Sequence, residues 1–281
     1  MEEDWDYLVI LDGCRYDLFS EVHGAFLEGD LEKVQSVGSN TVEWRDNSFP
    51  GRYEDVIYVS ANPYINSRVG VKGFSARDHF HGVVDVWDWG WSREHGTVHP
   101  RTVNEAVHAT MKDNPEKRLI IHYLQPHCPY IGHQPADSGY PPQEPGQRTV
   151  LNGTTAGDEP GPIRIKILDL ITVAGKSPLG RFLGLGSEGT LWAMRELLGL
   201  PPVSPMDAVR RALGVGGLRE AYARNLELVL SYVSGLMKDL HGEVVITADH
   251  GELLGEGGRF SHGFGRDDPL LLEVPWFEVR S

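Results

Sequence analysis

Asp249-His250-Gly251-Glu252-Leu253-Leu254-Gly255-Glu256-Gly257-Gly258-Arg259-Phe260-Ser261-His262-Gly263 is the stretch on which the fold turns. It follows Gly242-Glu243-Val244-Val245-Ile246-Thr247-Ala248, whose apolar, β-branched run predicts a buried strand. Asp249 and His250 should then emerge at that strand's C-terminal end, where open α/β sheets place their ligands. A carboxylate and an imidazole, joined by a Gly-rich loop to a second imidazole at His262, are groups that gather around a divalent transition metal.

Working outward, the run from Asp6 to Leu11 is a second buried-strand pattern, ending at Asp12-Gly13-Cys14-Arg15-Tyr16-Asp17, with a helix expected over Leu18 to Val22. Val34 to Val37 predicts a short strand, and Gly38-Ser39-Asn40-Thr41 turns into a helix from Val42 that ends before Phe49-Pro50-Gly51, leaving Thr41 near the helix start. Val56 to Ser60, Val83 to Val86 and Leu119 to Leu124 predict further strands, with a helix over Arg101 to Lys112. The alternation predicts an α/β fold with a mainly parallel, doubly wound sheet flanked by helices. Helical spacing recurs over 191–198, 206–213 and 218–240, the last with an apolar stripe at 218, 222, 226, 229, 230, 233, 236 and 240 that should lie on the sheet. The run from Leu270 to Val279, interrupted by Pro275, predicts an edge strand. Residues 133 to 165 are rich in Pro, Gly, Gln and Thr and are expected to form a surface excursion. With the helices after it, this gives one domain over 1–281 carrying an insertion at about 133–216.

Composition narrows the partners. With 281 residues, 40% of them hydrophobic, the chain can fill a large core. The net charge of −14 disfavours nucleic acid and anionic membrane as partners through long-range repulsion, so a phosphate-ester substrate would need local positive charge such as a bound metal. No apolar run of about 18 residues occurs and the chain begins Met1-Glu2-Glu3-Asp4, which together predict no transmembrane segment and a cytoplasmic location. Its two cysteines, Cys14 and Cys128, form no C-x-x-C pair, so neither a disulfide framework nor a zinc ribbon is indicated.

The centre of the chain adds His122-Tyr123-Leu124-Gln125-Pro126-His127-Cys128-Pro129-Tyr130 at another strand exit. Asp12, Thr41, His127 and the Asp249, His250, His262 set are far apart in sequence, yet all fall at the same edge of the predicted sheet. Arg15 and Asp17 are expected to form an ion pair beneath the first loop, and the Trp-rich Val86-Trp87-Asp88-Trp89-Gly90-Trp91 an aromatic strand that buries itself.

From Asp12-Gly13-Cys14-Arg15 to Asp249-His250-Gly251-Glu252 with Gly255-Glu256 and His262-Gly263, the chain resembles the alkaline phosphatase superfamily, which includes sulfatases, nucleotide pyrophosphatases and phosphoethanolamine transferases. The D-H-G-E-x-L-G-E loop, and a H-x-x-x-x-H pair like His122 and His127, resemble the phosphoethanolamine transferases in particular. The resemblance implies Asp12, Thr41, Asp249 and His250 around one metal, with His127 and His262 at a second metal or on the substrate's oxygens. It implies Thr41 as nucleophile and Zn²⁺ or Mn²⁺, one ion or two, as cofactor. Ser36 and Ser39 lie within six positions of Thr41, and the helix start is what favours Thr41. Neither cysteine has the C-x-P-x-R or C-x-A-x-R context of a formylglycine sulfatase, and His127 stands where nucleotide pyrophosphatases carry Asp. The expected activity is metal-dependent hydrolysis or group transfer on a small-molecule, glycan or lipid phosphate ester. The alternatives are a sulfate-ester hydrolase lacking formylglycine and a non-catalytic anion-binding member of the family; oligomeric state is left open.

Overall fold

A computed structural model describes residues 4–133 and 187–280. Its centre is a seven-stranded sheet built from β1 (Tyr7–Leu11), β2 (Gly29–Gln35), β3 (Tyr53–Ser60), β4 (Phe80–Asp85), β5 (Arg118–Tyr123), β6 (Val244–Thr247) and β7 (Glu273–Val279), in the spatial order β2-β7-β6-β1-β5-β3-β4. Neighbours from β6 to β4 pair in parallel, whereas β7 runs antiparallel to both β6 and β2. The principal helices are α1 (Tyr16–Val22), α2 (Thr41–Ser48), α3 (Pro100–Asp113), α4 (Glu188–Leu197) and α5 (Pro205–Leu236).

The strands bury both faces, and alternate residues feed two cores. Val9 and Leu11 of β1 face Phe19 of α1, Val103 and Val107 of α3 and Leu226 to Leu236 of α5, whereas Leu8 and Ile10 face Trp44 of α2 and Phe49. The same period sorts β5, with Leu119, Ile121 and Tyr123 on the first face and Ile120 on the second, and β6, with Val244 and Ile246 on the first and Val245 on the second. The helical stripes fall where the spacing predicts: Val103, Ala106, Val107 and Thr110 of α3 are buried, as is every position of the predicted 218-to-240 stripe.

Several expectations are corrected. The 270–279 segment contributes β7, which lies inside the sheet between β6 and β2, and β2 is the edge instead. Pro275 is tolerated because pairing with β6 covers only Trp276–Glu278, and the Pro275 carbonyl accepts the Thr247 hydroxyl at 2.7 Å. The strand expected at Val34 to Val37 is longer and earlier, β2, where Asp30, Glu32 and Lys33 keep the edge polar. The Trp-rich segment forms a helical turn over Val86–Trp89, which buries Trp87 and leaves Trp89 57% exposed. The two helices expected at 206–213 and 218–240 are borne out as the two halves of α5, which breaks at Gly214, whose φ of 71° and ψ of −178° are non-helical. Of the excursion at about 133–216, residues 134–186 lie outside the described residues, and α4 with the start of α5 occupies the remainder.

Candidate metal centre

Asp12 follows β1, His127 follows β5 and Asp249 follows β6, so the central parallel strands deliver their polar residues to one sheet edge. The two-residue period carries further. Asp12 continues the Leu8, Ile10 series, His122 the Ile120 series and Asp249 the Val245 series, which places all three on the face covered by α2. One ligand atom from each of Asp12, His122 and Asp249 lies within 4.8 Å of the others.

Thr41 is the first residue of α2, capped by Asn40, whose side chain accepts the amides of Val42 at 3.0 Å and Glu43 at 3.1 Å. Its hydroxyl donates to Asp249 Oδ2 at 2.7 Å and lies 3.4 Å from His250 Nε2. Asp249 Oδ1 accepts the backbone N–H groups of Gly13 and His250, both at 3.0 Å. Asp12 Oδ2 accepts the Asn62 amide at 2.6 Å, and that amide also lies 3.4 Å from the Thr41 hydroxyl. His250 directs Nδ1 at the Gly251 carbonyl, 2.7 Å away, which leaves Nε2 facing Asp12 and Asp249 at 3.7 and 3.5 Å. His122 is held the same way: Nδ1 is 2.8 Å from the Tyr58 hydroxyl and Nε2 faces Asp249 and Asp12 at 3.9 and 4.0 Å.

A second cluster adjoins the first, with the His262 ring centroid 4.2 Å from that of His250. His262 Nδ1 lies 3.1 Å from Glu252 Oε1, and His127 Nε2 lies 3.5 Å from Glu252 Oε2. Thus the candidate residues Asp12, Thr41, Asp249 and His250 share one cluster and His127 and His262 another. Sequence reasoning left three neighbours unassigned: His122 in the first cluster, Glu252 in the second and Asn62 beside Asp12. The strand period was a signal for His122. Glu252 is fully buried, which a sequence cannot announce for a glutamate in a Gly-rich loop.

Electrostatics set the chemistry of this site. Burial pushes His122 and His250 down to about 4, so both imidazoles are neutral at pH 7. Asp12 is raised well above the ordinary carboxylate range by burial and by Asp249. Burial also pushes Asp249 up, but His250, His122, the Thr41 hydroxyl and the Gly13 amide hold it below that range. Glu252 is likewise lowered against its burial, by His262, His127 and His250. Burial pushes His127 down, but Cys128, Asp12 and Glu252 hold it well above its ordinary range, and among the described residues His122 Nε2 and Glu252 Oε2 have no hydrogen-bond partner. This donor set of oxygen and imidazole nitrogen fits a divalent cation of the Zn²⁺ or Mn²⁺ kind.

The loops are braced from below. Arg15, 6% exposed, forms the expected pair with Asp17 and also donates to Glu256 Oε1 at 2.6 Å, tying the β1 loop to the loop after β6. From α5, the Tyr222 hydroxyl donates to the Gly13 carbonyl at 2.7 Å and accepts the Arg15 amide at 3.0 Å, while Asn225 donates to the carbonyls of Pro126 and His127 at 3.1 and 3.2 Å.

Neither a protein-family model nor any curated protein sequence matches this chain. Among solved structures it is similar to the integral membrane protein lipooligosaccharide phosphoethanolamine transferase A from Neisseria meningitidis, at 14% identity and a TM-score of 0.53, over 96% of this chain and 47% of that one. It is also similar to the phosphonate monoester hydrolase of Agrobacterium radiobacter, at 13% identity and a TM-score of 0.48, over 97% of this chain and 67% of that one. A third is the C-terminal periplasmic domain of a phosphoethanolamine transferase from Campylobacter jejuni, at 12% identity and a TM-score of 0.47, over 97% and 77%. The chain spans about half the length of the neisserial transferase. At these identities the likeness is one of fold, and the chain has the fold of the alkaline phosphatase superfamily.

Proposed function

We propose that the chain is a metal-dependent hydrolase or group transferase of phosphate esters with Thr41 as nucleophile. The observation that carries this reading is the Thr41 hydroxyl on Asp249, inside a buried cluster of carboxylates and neutral imidazoles. Asp12, His122, Asp249 and His250 would hold one divalent cation, Zn²⁺ or Mn²⁺, beside Thr41. His127, Glu252 and His262 would hold a second cation or bind the substrate's phosphoryl oxygens. The bound cation supplies the positive charge that lowers the hydroxyl's pKa and offsets charge on the phosphoryl oxygens.

The chain's own groups do the rest. The Asn40 cap fixes Thr41 at the first turn of α2, where the helix N-terminus favours a developing alkoxide. Asp249 orients the hydroxyl, and Asn62 donates to Asp12 beside Thr41, which holds the Asp12 carboxylate in place. Attack forms the Thr41 Oγ1–P bond as the ester P–O bond breaks and the alcohol leaves with a proton. Water in hydrolysis, or an acceptor hydroxyl in transfer, then cleaves the phospho-threonine and restores Thr41.

The test joins elemental analysis of purified protein to assays on phosphomonoester, phosphodiester and sulfate-ester substrates with added Zn²⁺ or Mn²⁺. Turnover of a phosphate ester that a chelator abolishes, with metal binding lost in Asp249→Asn, is the expected result. Preferential sulfate-ester turnover, or full metal occupancy in Asp249→Asn, would contradict the reading.

A further inference from the structure

Outside these clusters, the loop between β3 and β4 holds one residue in a backbone conformation unsuited to its type. Lys72 has φ of 51° and Gly73 φ of 87°, and Val71 and Phe74 exchange backbone hydrogen bonds of 2.9 and 3.1 Å across them. This is a two-residue hairpin turn with both central residues left-handed, a position that suits Asn or Gly and disfavours Lys. The surroundings impose it. Arg45 of α2, with no exposed surface, donates to the carbonyls of Tyr64 and Val71, and its guanidinium lies 4.7 Å from the centroid of the Phe74 ring. The turn is therefore fixed to the helix that begins with Thr41.

The strained residue has a definite target. The Lys72 ammonium sits 3.9 Å from the centroid of Phe264, whose side chain is 58% exposed. Phe264 follows His262 by two residues, and its flanks are tied to the start of α2: the Ser39 hydroxyl donates to the Gly263 carbonyl at 2.6 Å and the Gly265 amide to Glu43 at 2.6 Å. The loop carrying Lys72 itself departs from Asn62, which touches Asp12 and Thr41. Lys72 and Phe264 thus stand on two segments that leave the candidate metal centre. In a chain of net charge −14, an ordered ammonium over an exposed ring is a local exception, and strained backbone held by its surroundings marks functional positions.

From this we infer that Lys72 and Phe264 form a rim subsite that selects phosphate esters whose leaving group is flat and apolar and carries a second anionic group. Phe264 supplies the apolar surface, and the ammonium protons that point away from the ring bind the remote anion. The inference rests on the phosphate-ester reading of the site.

The test is calorimetric titration of the Zn²⁺-loaded protein at low ionic strength with phenylphosphonate and 4-carboxyphenylphosphonate, which separates binding from turnover. The carboxylated ligand should bind roughly fivefold tighter, the upper end of what an exposed ion pair supplies. That ratio should fall to about one in Lys72→Met, persist in Lys72→Arg and shrink in high salt. Lys72→Asn, which suits the left-handed turn and lacks the charge, should lose the ratio as Lys72→Met does, so a folding defect cannot imitate the result. Equal affinities in the wild type, or a ratio that survives Lys72→Met, would overturn the rim subsite alone. Failure of the Zn²⁺-loaded wild type to bind either phosphonate would overturn the phosphate-ester reading and this inference together.

Discussion

Three hydroxyls crowd the start of α2, and their hydrogen bonds separate them. Ser36 Oγ donates to the backbone carbonyls of Asp249 and Gly38, and Ser39 Oγ is spent on Glu43 and Gly263. Thr41 Oγ1 alone of the three donates to a carboxylate of the cluster. Thr41→Ala should therefore lower turnover by three orders of magnitude or more while preserving the fold, as expected for loss of a nucleophile. Mass spectrometry of an acid-quenched reaction should find a phosphoryl adduct on the peptide carrying Thr41; an adduct on Ser36 or Ser39 would move the role. Glu252 makes a second, separable prediction. Its carboxylate faces both His127 and His262, so Glu252→Gln should weaken whatever those residues hold by about tenfold or more. One metal should remain tightly bound by Asp12, Asp249 and His250, and elemental analysis showing loss of all metal would merge the two clusters into one site. At this scale the sequence was legible where a residue type has few other uses: the Asp249-His250 pair and His262 stand out in it. Asn62 and Glu252 did not, because asparagine and glutamate are ordinary in polar loops and only burial reveals their task.

The positions of whole elements brace the loops that carry the site. The His250-Gly251-Glu252 link joins the two clusters and is pressed on the segment before β7: the Gly251 amide donates to the Leu271 carbonyl at 2.8 Å, and a Cβ on Gly251 would lie 2.0 Å from the Leu270 carbonyl oxygen. Backbone cannot yield as a flexible side chain does, so Gly251→Ala should cost about 1–3 kcal/mol of stability. Because His250 and Glu252 flank the displaced residue, metal affinity should fall in the same variant. A urea midpoint and a zinc titration check both, and normal zinc affinity in a destabilised variant would mean the clusters do not depend on this contact. The elements were readable where a single period persists, as in α3, α5 and the buried strands. They were misread where a local signal competes with the tertiary setting. Pro275 suggested an edge strand, but β6 is too short to demand its missing N–H. The aromatic run at 86–91 suggested a strand, yet the chain turns there so that Trp87 can bury and bond to Asp85 at 3.1 Å.

Across the whole molecule, negative charge is concentrated at the site as well as over the surface, which makes stability depend on pH in a predictable direction. In metal-free protein His122 and His250 stay neutral down to about pH 4, whereas the unfolded chain protonates them near 6.5. Between these values the unfolded state binds more protons, so stability falls as the pH drops from about 6.5 to 4, by at most about 3 kcal/mol for each imidazole. Asp249 and Glu252, both lowered, add a loss at still lower pH as they protonate. Asp12 and His127, both raised well above their ordinary ranges, work the other way by binding a proton first in the folded state. Four groups oppose two, so acidification should destabilise. The urea midpoint of chelator-treated protein should therefore be lower at pH 5 than at pH 7.5, and His122→Phe, which cannot protonate, should make the dependence shallower. Zn²⁺ should raise the midpoint at pH 7.5, since a ligand that binds only the folded state stabilises it, and should raise it less at pH 5, where the proton that Asp12 binds with raised affinity competes with the metal. A midpoint that rises on acidification would show that Asp12 and His127 outweigh His122 and His250 in the folded protein.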